Sequence, residues 1–183
     1  MENKKLGLLL GSFDPIHIGH LYMATQALNS KLVDDVLFIP AFQNPWKENS
    51  TSFWTRCHMV DLALSDLEHC DKSTIESELN PPYYSYNTLV KIKEYYSEYD
   101  LYLIVGEDII SEIQNWYRGD WILENFKLIV VSRPNCEYNN KVDIPKTINI
   151  SSTEIRNMYK EGKQVYPLVP KIVNDYIKQH KIY

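Results

Sequence analysis

Short, uninterrupted apolar runs recur along this chain, each followed by a stretch with helical spacing. Leu6–Leu10, Asp35–Ile39, Leu101–Val105, Lys127–Ser132 and Thr147–Ile150 are such runs. Each is long enough for a strand, and a run without polar alternation has both faces buried. Between them, Gly19–Ser30 places Leu21, Ala24 and Leu28 on one helical stripe. Ser52 can cap a helix with Cys57, Val60, Ala63, Leu64 and Leu67 inward. Ser85–Tyr99 groups Leu89, Ile92 and Tyr96, and Asp108–Asn125 reads as one or two short helices broken near Gly119. Ser151–Glu161 is a further helix, and Pro170 opens the last one, with Ile172, Val173, Tyr176 and Ile177 facing inward. Thr74–Leu79 alternates and reads as an extra strand; Ala41–Ser52 and the stretch from Arg133 to Lys146 read as loops.

Strands alternating with helices require right-handed βαβ crossovers. The expected fold class is therefore α/β: a single Rossmann-like, doubly wound parallel sheet with helices on both faces, built by one domain over residues 1–183. Ligands on such sheets sit beyond the carboxyl ends of the strands, at a switch point. Composition narrows the partners. The net charge of −5 opposes a general nucleic-acid binder, and the tyrosines cluster on helices and loops, not on a strand platform. Three cysteines (Cys57, Cys70, Cys136) without a CxxC pair read as reduced thiols. No run approaches membrane-spanning length, and the stretch after Lys4 and Lys5 is too short for a signal-peptide core, so a cytoplasmic location without membrane contact is expected.

The chain has only 6 glycines among 183 residues, and two of them flank its most specific segment. Gly11-Ser-Phe-Asp-Pro-Ile-His17-Ile-Gly19-His20 follows the first strand directly. Gly11 permits a sharp turn and close approach to a ligand, and Pro15 stiffens the loop. His17 and His20 stand three apart beside a helix start, whose free N–H groups favour anions. Two imidazoles there suit a polyphosphate better than a metal ion. A second segment, Ile150-Ser-Ser-Thr-Glu-Ile-Arg156, precedes the last helices. Ser151 and Glu154 have capping-box spacing, and Ser152, Thr153 and Arg156 could face one anion together.

GSFDPIHIGH resembles the H-x-G-H signature of the nucleotidyltransferase superfamily, whose members join a nucleoside triphosphate to a phosphorylated acceptor and release pyrophosphate. ISSTEIR resembles the I-S-S-T-x-I-R motif of nicotinate or nicotinamide mononucleotide adenylyltransferases, and the bacterial nicotinate-preferring branch is the nearest likeness. The likeness continues in order through Phe38-Ile-Pro-Ala, Asn44-Pro-Trp-Lys47, Arg56-x-x-Met59, Gly106-Glu-Asp108, Asn115-Trp116, Val131-Ser-Arg133-Pro134 and the final helix. It implies that residues 1–183 form one nucleotidyltransferase domain with ATP and a pyridine mononucleotide as substrates. His17, His20 and Arg156 would be catalytic. Gly11, Ser12, Phe13, Gly106, Asp108, Ser151 and Ser152 would join them in holding ATP. Asn44, Lys47, Thr88 and Trp116 would hold the mononucleotide, Trp116 by stacking on its ring; Trp121 is the competing candidate for the exposed indole.

Two departures stand out. The family's P-P-H-K loop reads Asn44-Pro-Trp-Lys47 here, and Ser85-Tyr-Asn-Thr-Leu89 is two residues shorter than the family's S-Y-T-x-D-T-L, which helps read the ring's acid group. The implied reaction is in-line attack of the acceptor phosphate on the α-phosphorus of ATP, with His17, His20, Lys47 and Arg156 supplying positive charge. No carboxylate cage for a metal is evident, so Mg²⁺ is expected to ride on the substrate phosphates. The competing readings are a same-superfamily enzyme with another phosphorylated acceptor, and a non-catalytic nucleotide-binding sensor, which would have lost His17, His20 or Arg156.

Overall fold

The apolar runs do build the sheet. A computed structural model describes residues 3–43, 51–131 and 150–183. Its strands are β1 (Lys5–Gly11), β2 (Asp35–Pro40), β3 (Cys70–Lys72), β4 (Asp100–Gly106) and β5 (Lys127–Val131), all parallel, in the order β3-β2-β1-β4-β5. The chain winds outward from β1 through β2 to β3, then returns to lay β4 on the other side of β1. The switch point thus lies between the carboxyl ends of β1 and β4.

Successive strand residues serve opposite faces, and the two cores divide accordingly. Leu9, Val36, Phe38, Ile104 and Ile129 pack under α1 (Ile18–Asn29), α2 (Phe53–Leu64), α6 (Ser152–Lys160) and α7 (Lys171–His180). Leu8, Leu37, Ile39, Leu103 and Val130 pack under α3 (Ser85–Tyr95), α4 (Glu107–Ile113) and α5 (Gly119–Asn125). Helices on both faces make the sheet doubly wound, as expected. Among the described residues, no helix is long and apolar enough to cross a membrane.

Three local expectations are corrected. The strand expected at Thr74–Leu79 is a 3-10 turn, Ile75–Glu78, and the edge strand lies earlier, at Cys70–Lys72. Ile75 and Glu76 are adjacent and both buried, which a half-exposed strand cannot achieve. The third helix stops at Tyr95 instead of Tyr99, because Tyr96 leaves helical geometry and Tyr99 N–H turns back to its carbonyl. Ile172 is 47% exposed. Pro170 caps α7 from outside, and the inward stripe becomes Val173, Asn174 and Ile177, with Asn174 accepting a 2.8 Å bond from the Tyr159 hydroxyl. Of the run Thr147–Ile150, only Ile150 is described, outside any strand; the rest, with the loop from Arg133 to Lys146, lies outside the described residues.

Candidate active site

Because β1 and β4 are neighbours ending at Gly11 and Gly106, the segments that follow them open on one edge of the sheet. There they enclose a cleft of about 710 Å³. Its walls come from Gly11 and Ser12, His17 and His20, Ala41 and Gln43, Glu76, Tyr83–Ser85, Gly106, Asn115–Tyr117 and Ile150–Thr153.

The loop after β1 is held from outside by its carbonyls. Gly11 O accepts from Ala41 N–H at 2.9 Å and Ser12 O from Arg56 Nη1 at 2.6 Å. Asp14 O accepts from Arg156 Nη1 at 2.7 Å, and Pro15 O from the Ser152 hydroxyl at 3.0 Å. The Asp14 carboxylate takes the Tyr183 hydroxyl at 2.6 Å and Thr51 N–H at 3.2 Å. These bonds commit four loop carbonyls to the protein and fix the course of the loop along the cleft.

His17 caps α1, and its N–H donates to His20 Nδ1 at 3.2 Å. That bond fixes the His20 proton on Nε2, directed away from its own backbone. The two rings stack at 3.7 Å between centroids, and the buried Phe13 ring meets His20 edge-on at 4.9 Å. A Cβ on Gly19 would lie 3.0 Å from the His17 ring and 3.2 Å from Ile150, so only glycine lets the ring and the following segment close over the helix start. Burial pushes His17 down to about 4 and holds His20 well below its ordinary range, with His17 adding to the effect. With no anion bound, both imidazoles are neutral at neutral pH, because stacked rings in a low-dielectric wall resist charging.

The second motif closes the same wall. Ser151 Oγ accepts from Glu154 N–H at 3.2 Å, the expected cap. Ser151, Ser152 and Thr153 line the cleft. Arg156 does not: it bonds Asp14 O and Thr153 Oγ1, joining the two motifs from behind. Phe13 likewise sits behind the wall, at the core.

Trp116 lines the cleft, whereas Trp121, packed on Tyr86 and Phe126, is not among its lining residues. Tyr84 and Tyr117 stack at 4.8 Å beside Trp116. Thr88 is fully buried and donates to Glu76 Oε1 at 2.7 Å, one layer behind the surface. The residues that face the cleft are Tyr83, Tyr84 and Ser85. Counted back from Thr88 and Leu89, these occupy the S-Y-T positions, so the frame Tyr83–Leu89 has full length and the two-residue shortening disappears. Asn44 and Lys47 lie outside the described residues, as does the Asp108 side chain; the Asp108 backbone belongs to the first turn of α4, directly after Gly106.

Two buried ionic residues were not singled out as functional from sequence. Arg56 is 2% exposed and donates to the carbonyls of Thr51, Ser12, Ala41 and Phe42. Its signal was legible: it precedes Val60 and Ala63 by four and seven, so a cation occupies the inward stripe of α2. Glu76 is 3% exposed, accepts from Phe42 N–H at 2.7 Å as well as from Thr88, and reaches the cleft wall. Burial raises its pKa, opposed by those two bonds and by the nearby Arg56 guanidinium. Nothing in its sequence context marks it. Among the described residues, no three His, Cys, Asp or Glu side chains stand together as a metal cage.

The family profile described as cytidylyltransferase-like matches residues 8–158. A protein of Coprothermobacter proteolyticus named probable nicotinate-nucleotide adenylyltransferase is 36% identical, over 100% of this chain and 97% of its own. One of the same name from Staphylococcus epidermidis is 32% identical, over 99% and 98%. Among solved structures, Plasmodium falciparum nicotinic acid mononucleotide adenylyltransferase complexed with NaAD superposes with a TM-score of 0.82 at 21% identity, over 98% of this chain and 97% of that one. A putative nicotinate-nucleotide adenylyltransferase from Vibrio parahaemolyticus gives 0.74 at 24%, over 96% and 99%. These last two likenesses carry the fold.

Proposed function

The chain belongs to the cytidylyltransferase-like family and, within it, to the nicotinate-nucleotide adenylyltransferases, and on that premise we propose that it joins ATP to nicotinate mononucleotide, giving the dinucleotide and pyrophosphate in NAD biosynthesis. The observation that carries this reading is the convergence of His17, His20, the start of α6 and Trp116 on one cleft at the switch point. A helix-start segment with two histidines and an indole in one cleft suit a triphosphate and a pyridine ring.

The mononucleotide phosphate is ionised at neutral pH and is itself the nucleophile. One of its oxygens forms a bond to the α-phosphorus as the bond from that phosphorus to the bridging oxygen breaks, and the electron pair leaves on pyrophosphate. No general base is required. The protein holds the two phosphates in line and stabilises the charge moving outward. We assign the Nε2–H of His20, His17 and the amides of Gly11, Ser12, Ser151 and Ser152 to ATP, with Gly106 and Asp108 toward its adenosine. Arg156 acts from behind as a positioning residue for the Asp14 carbonyl and Thr153. Asn44, Lys47 and Trp116 are assigned to the mononucleotide; Thr88 supports that site through Glu76, and the first turn of α3, Ser85 foremost, offers free N–H groups to the ring's acid group. A Mg²⁺ carried on the triphosphate would shield its charge, held by the substrate phosphates themselves. Residues 1–183 act as one cytoplasmic domain, without nucleic acid or membrane.

Pyrophosphate release measured with ATP and either nicotinate or nicotinamide mononucleotide tests this. Turnover should be faster with the acid, and His20→Ala should be inactive while folded. No turnover with either acceptor would refute the reading and favour another phosphorylated acceptor, or a sensor if ATP still binds.

A further inference from the structure

The loop after β1 contains a strained turn. Phe13 has a left-handed backbone, with φ of 48°, which is costly for a bulky residue and persists only where the surroundings enforce it. The turn carries the Phe13 ring beneath Gly11, where an added Cβ would stand 3.0 Å from it, and sets it edge-on to His20 at 4.9 Å. Where His20 sits therefore depends on the backbone at Phe13. Two guanidinium groups hold the carbonyls on either side, Arg56 at Ser12 and Arg156 at Asp14. The third hold is the side chain of Asp14, a residue only 5% exposed, whose carboxylate accepts the Tyr183 hydroxyl at 2.6 Å and Thr51 N–H at 3.2 Å. Tyr183 lies just beyond α7, 169 residues away in sequence, with its ring against Tyr159 at 5.6 Å. Burial and the adjacent Asp14 charge hold its phenol well above the ordinary range, so the hydroxyl stays a donor; the Thr51 side chain bonds it as well. An apolar ring would fill the same space. What the hydroxyl adds is a directed, charge-assisted bond to one carboxylate.

Resting on the functional reading above, we propose that Tyr183 is a positioning residue for adenylyl transfer: its hydroxyl, through the Asp14 carboxylate, holds the Phe13 turn that sets His20 and the Gly11–Ser12 backbone against the triphosphate. Gly11, Ser12 and His20 line the cleft and Tyr183 does not, so it acts from behind the loop. Without the hydroxyl, the Asp14 side chain loses its shortest bond and the strained turn is free to relax. In-line transfer is steep in alignment, so a small shift there lowers kcat more than it weakens the acceptor, whose assigned residues lie on other segments.

The test measures kcat and both KM values by pyrophosphate release, at a temperature where each protein is folded, for the wild type, Tyr183→Phe, Asp14→Ala and the double variant. Tyr183→Phe keeps the ring on Tyr159 and removes one oxygen. Its kcat should fall by about tenfold, with the KM for nicotinate mononucleotide within about twofold of the wild type. In the Asp14→Ala background the same change should alter kcat by less than about twofold, because the hydroxyl acts through that carboxylate. A Tyr183→Phe protein with wild-type kcat would overturn the inference whatever its Tm, since a merely structural bond would move Tm alone. Equal losses in the two backgrounds, or a loss carried by the acceptor's KM, would overturn it too. If Asp14→Ala does not fold, the division between kcat and KM in Tyr183→Phe decides by itself. A wild type that releases no pyrophosphate with this acceptor would overturn the functional reading and this inference with it.

Discussion

Arg56 ties together three segments, two of which line the cleft at Ser12 and Ala41, so its removal should register in stability before it registers in chemistry. Its guanidinium donates at 2.9 Å to Thr51, 2.6 Å to Ser12, 2.7 Å to Ala41 and 3.0 Å to Phe42. A hydrogen bond from a charged donor contributes about 1.5–3 kcal/mol. Simple addition over four bonds overshoots, because burial already disfavours the charge and lowers its pKa. Removing the cation relieves that desolvation, while carbonyls near the cleft edge regain water. The net expected for Arg56→Met is a loss of about 3–5 kcal/mol, the range for a broken buried ionic arrangement. For a chain of this length each kcal/mol lowers Tm by about 2–4 °C, so the transition should fall by about 6–20 °C. Arg56→Lys keeps the charge but cannot span four carbonyls from one nitrogen, and should fall between. Thermal and urea unfolding measure both variants; pyrophosphate release at a temperature where they are folded should show kcat/KM reduced at least about tenfold as the Ser12 carbonyl is freed. Arg56→Met unfolding within about 2 °C of the wild type would refute the claim that these bonds hold the three segments together.

Two further outcomes follow from geometry and charge. A Cβ at Gly119 would stand 1.9 Å from the Ile113 carbonyl oxygen, a backbone atom that cannot swing aside, so Gly119→Ala should lose about 1–3 kcal/mol in urea unfolding by separating α4 from α5. His17 is held at about 4 in the folded protein against about 6.5 unfolded, so the unfolded chain binds more protons between those values. Its contribution is complete above about pH 6.5 and is lost as pH falls toward 4, about 3 kcal/mol in all; unfolding of His17→Asn across this range should be less acid-sensitive than that of the wild type.

The strands were legible because residues buried on both faces leave an unbroken apolar run, and β1, β2, β4 and β5 lie within two residues of their expected limits. The 3-10 turn at Ile75–Glu78 was not, because Ile75 and Glu76 point inward for different reasons, one apolar and one through hydrogen bonds to Phe42 and Thr88. Only tertiary partners distinguish that from alternation. The same limit governs the site. The two motifs assigned to phosphate are contiguous in sequence, whereas Glu76, Tyr83–Ser85 and Trp116 come to one cleft only when α3 and α4 dock on the sheet. Ser85-Tyr86 matched the family's letters, but Tyr83-Tyr84-Ser85 matches its positions; which residue faces the cleft is decided where α3 begins, at Ser85 with Tyr84 as its cap.

An acidic chain that binds two polyanions must obtain positive charge at the cradle, and the stacked histidines show how it is timed. Two imidazoles 3.7 Å apart, both depressed by burial, carry no charge at neutral pH. A permanent cation there would face desolvation continuously; a neutral ring need only charge when an anion arrives. A phosphate charge about 4 Å from one ring, at an effective dielectric near 20, favours the imidazolium by about 4 kcal/mol, or about three pKa units. That lifts His17 from about 4 toward about 7. Its neighbour stays neutral, since two stacked cations oppose each other. Binding of ATP or pyrophosphate should therefore take up close to one proton near pH 6 and almost none above pH 8.5, and affinity should strengthen as pH falls between them. Calorimetry in buffers of different ionisation enthalpy reads that uptake directly, and His17→Asn should abolish most of it. If the wild type takes up no proton anywhere from pH 6 to 8, the rings act as neutral donors throughout, and the charge that holds the triphosphate comes from elsewhere in the chain.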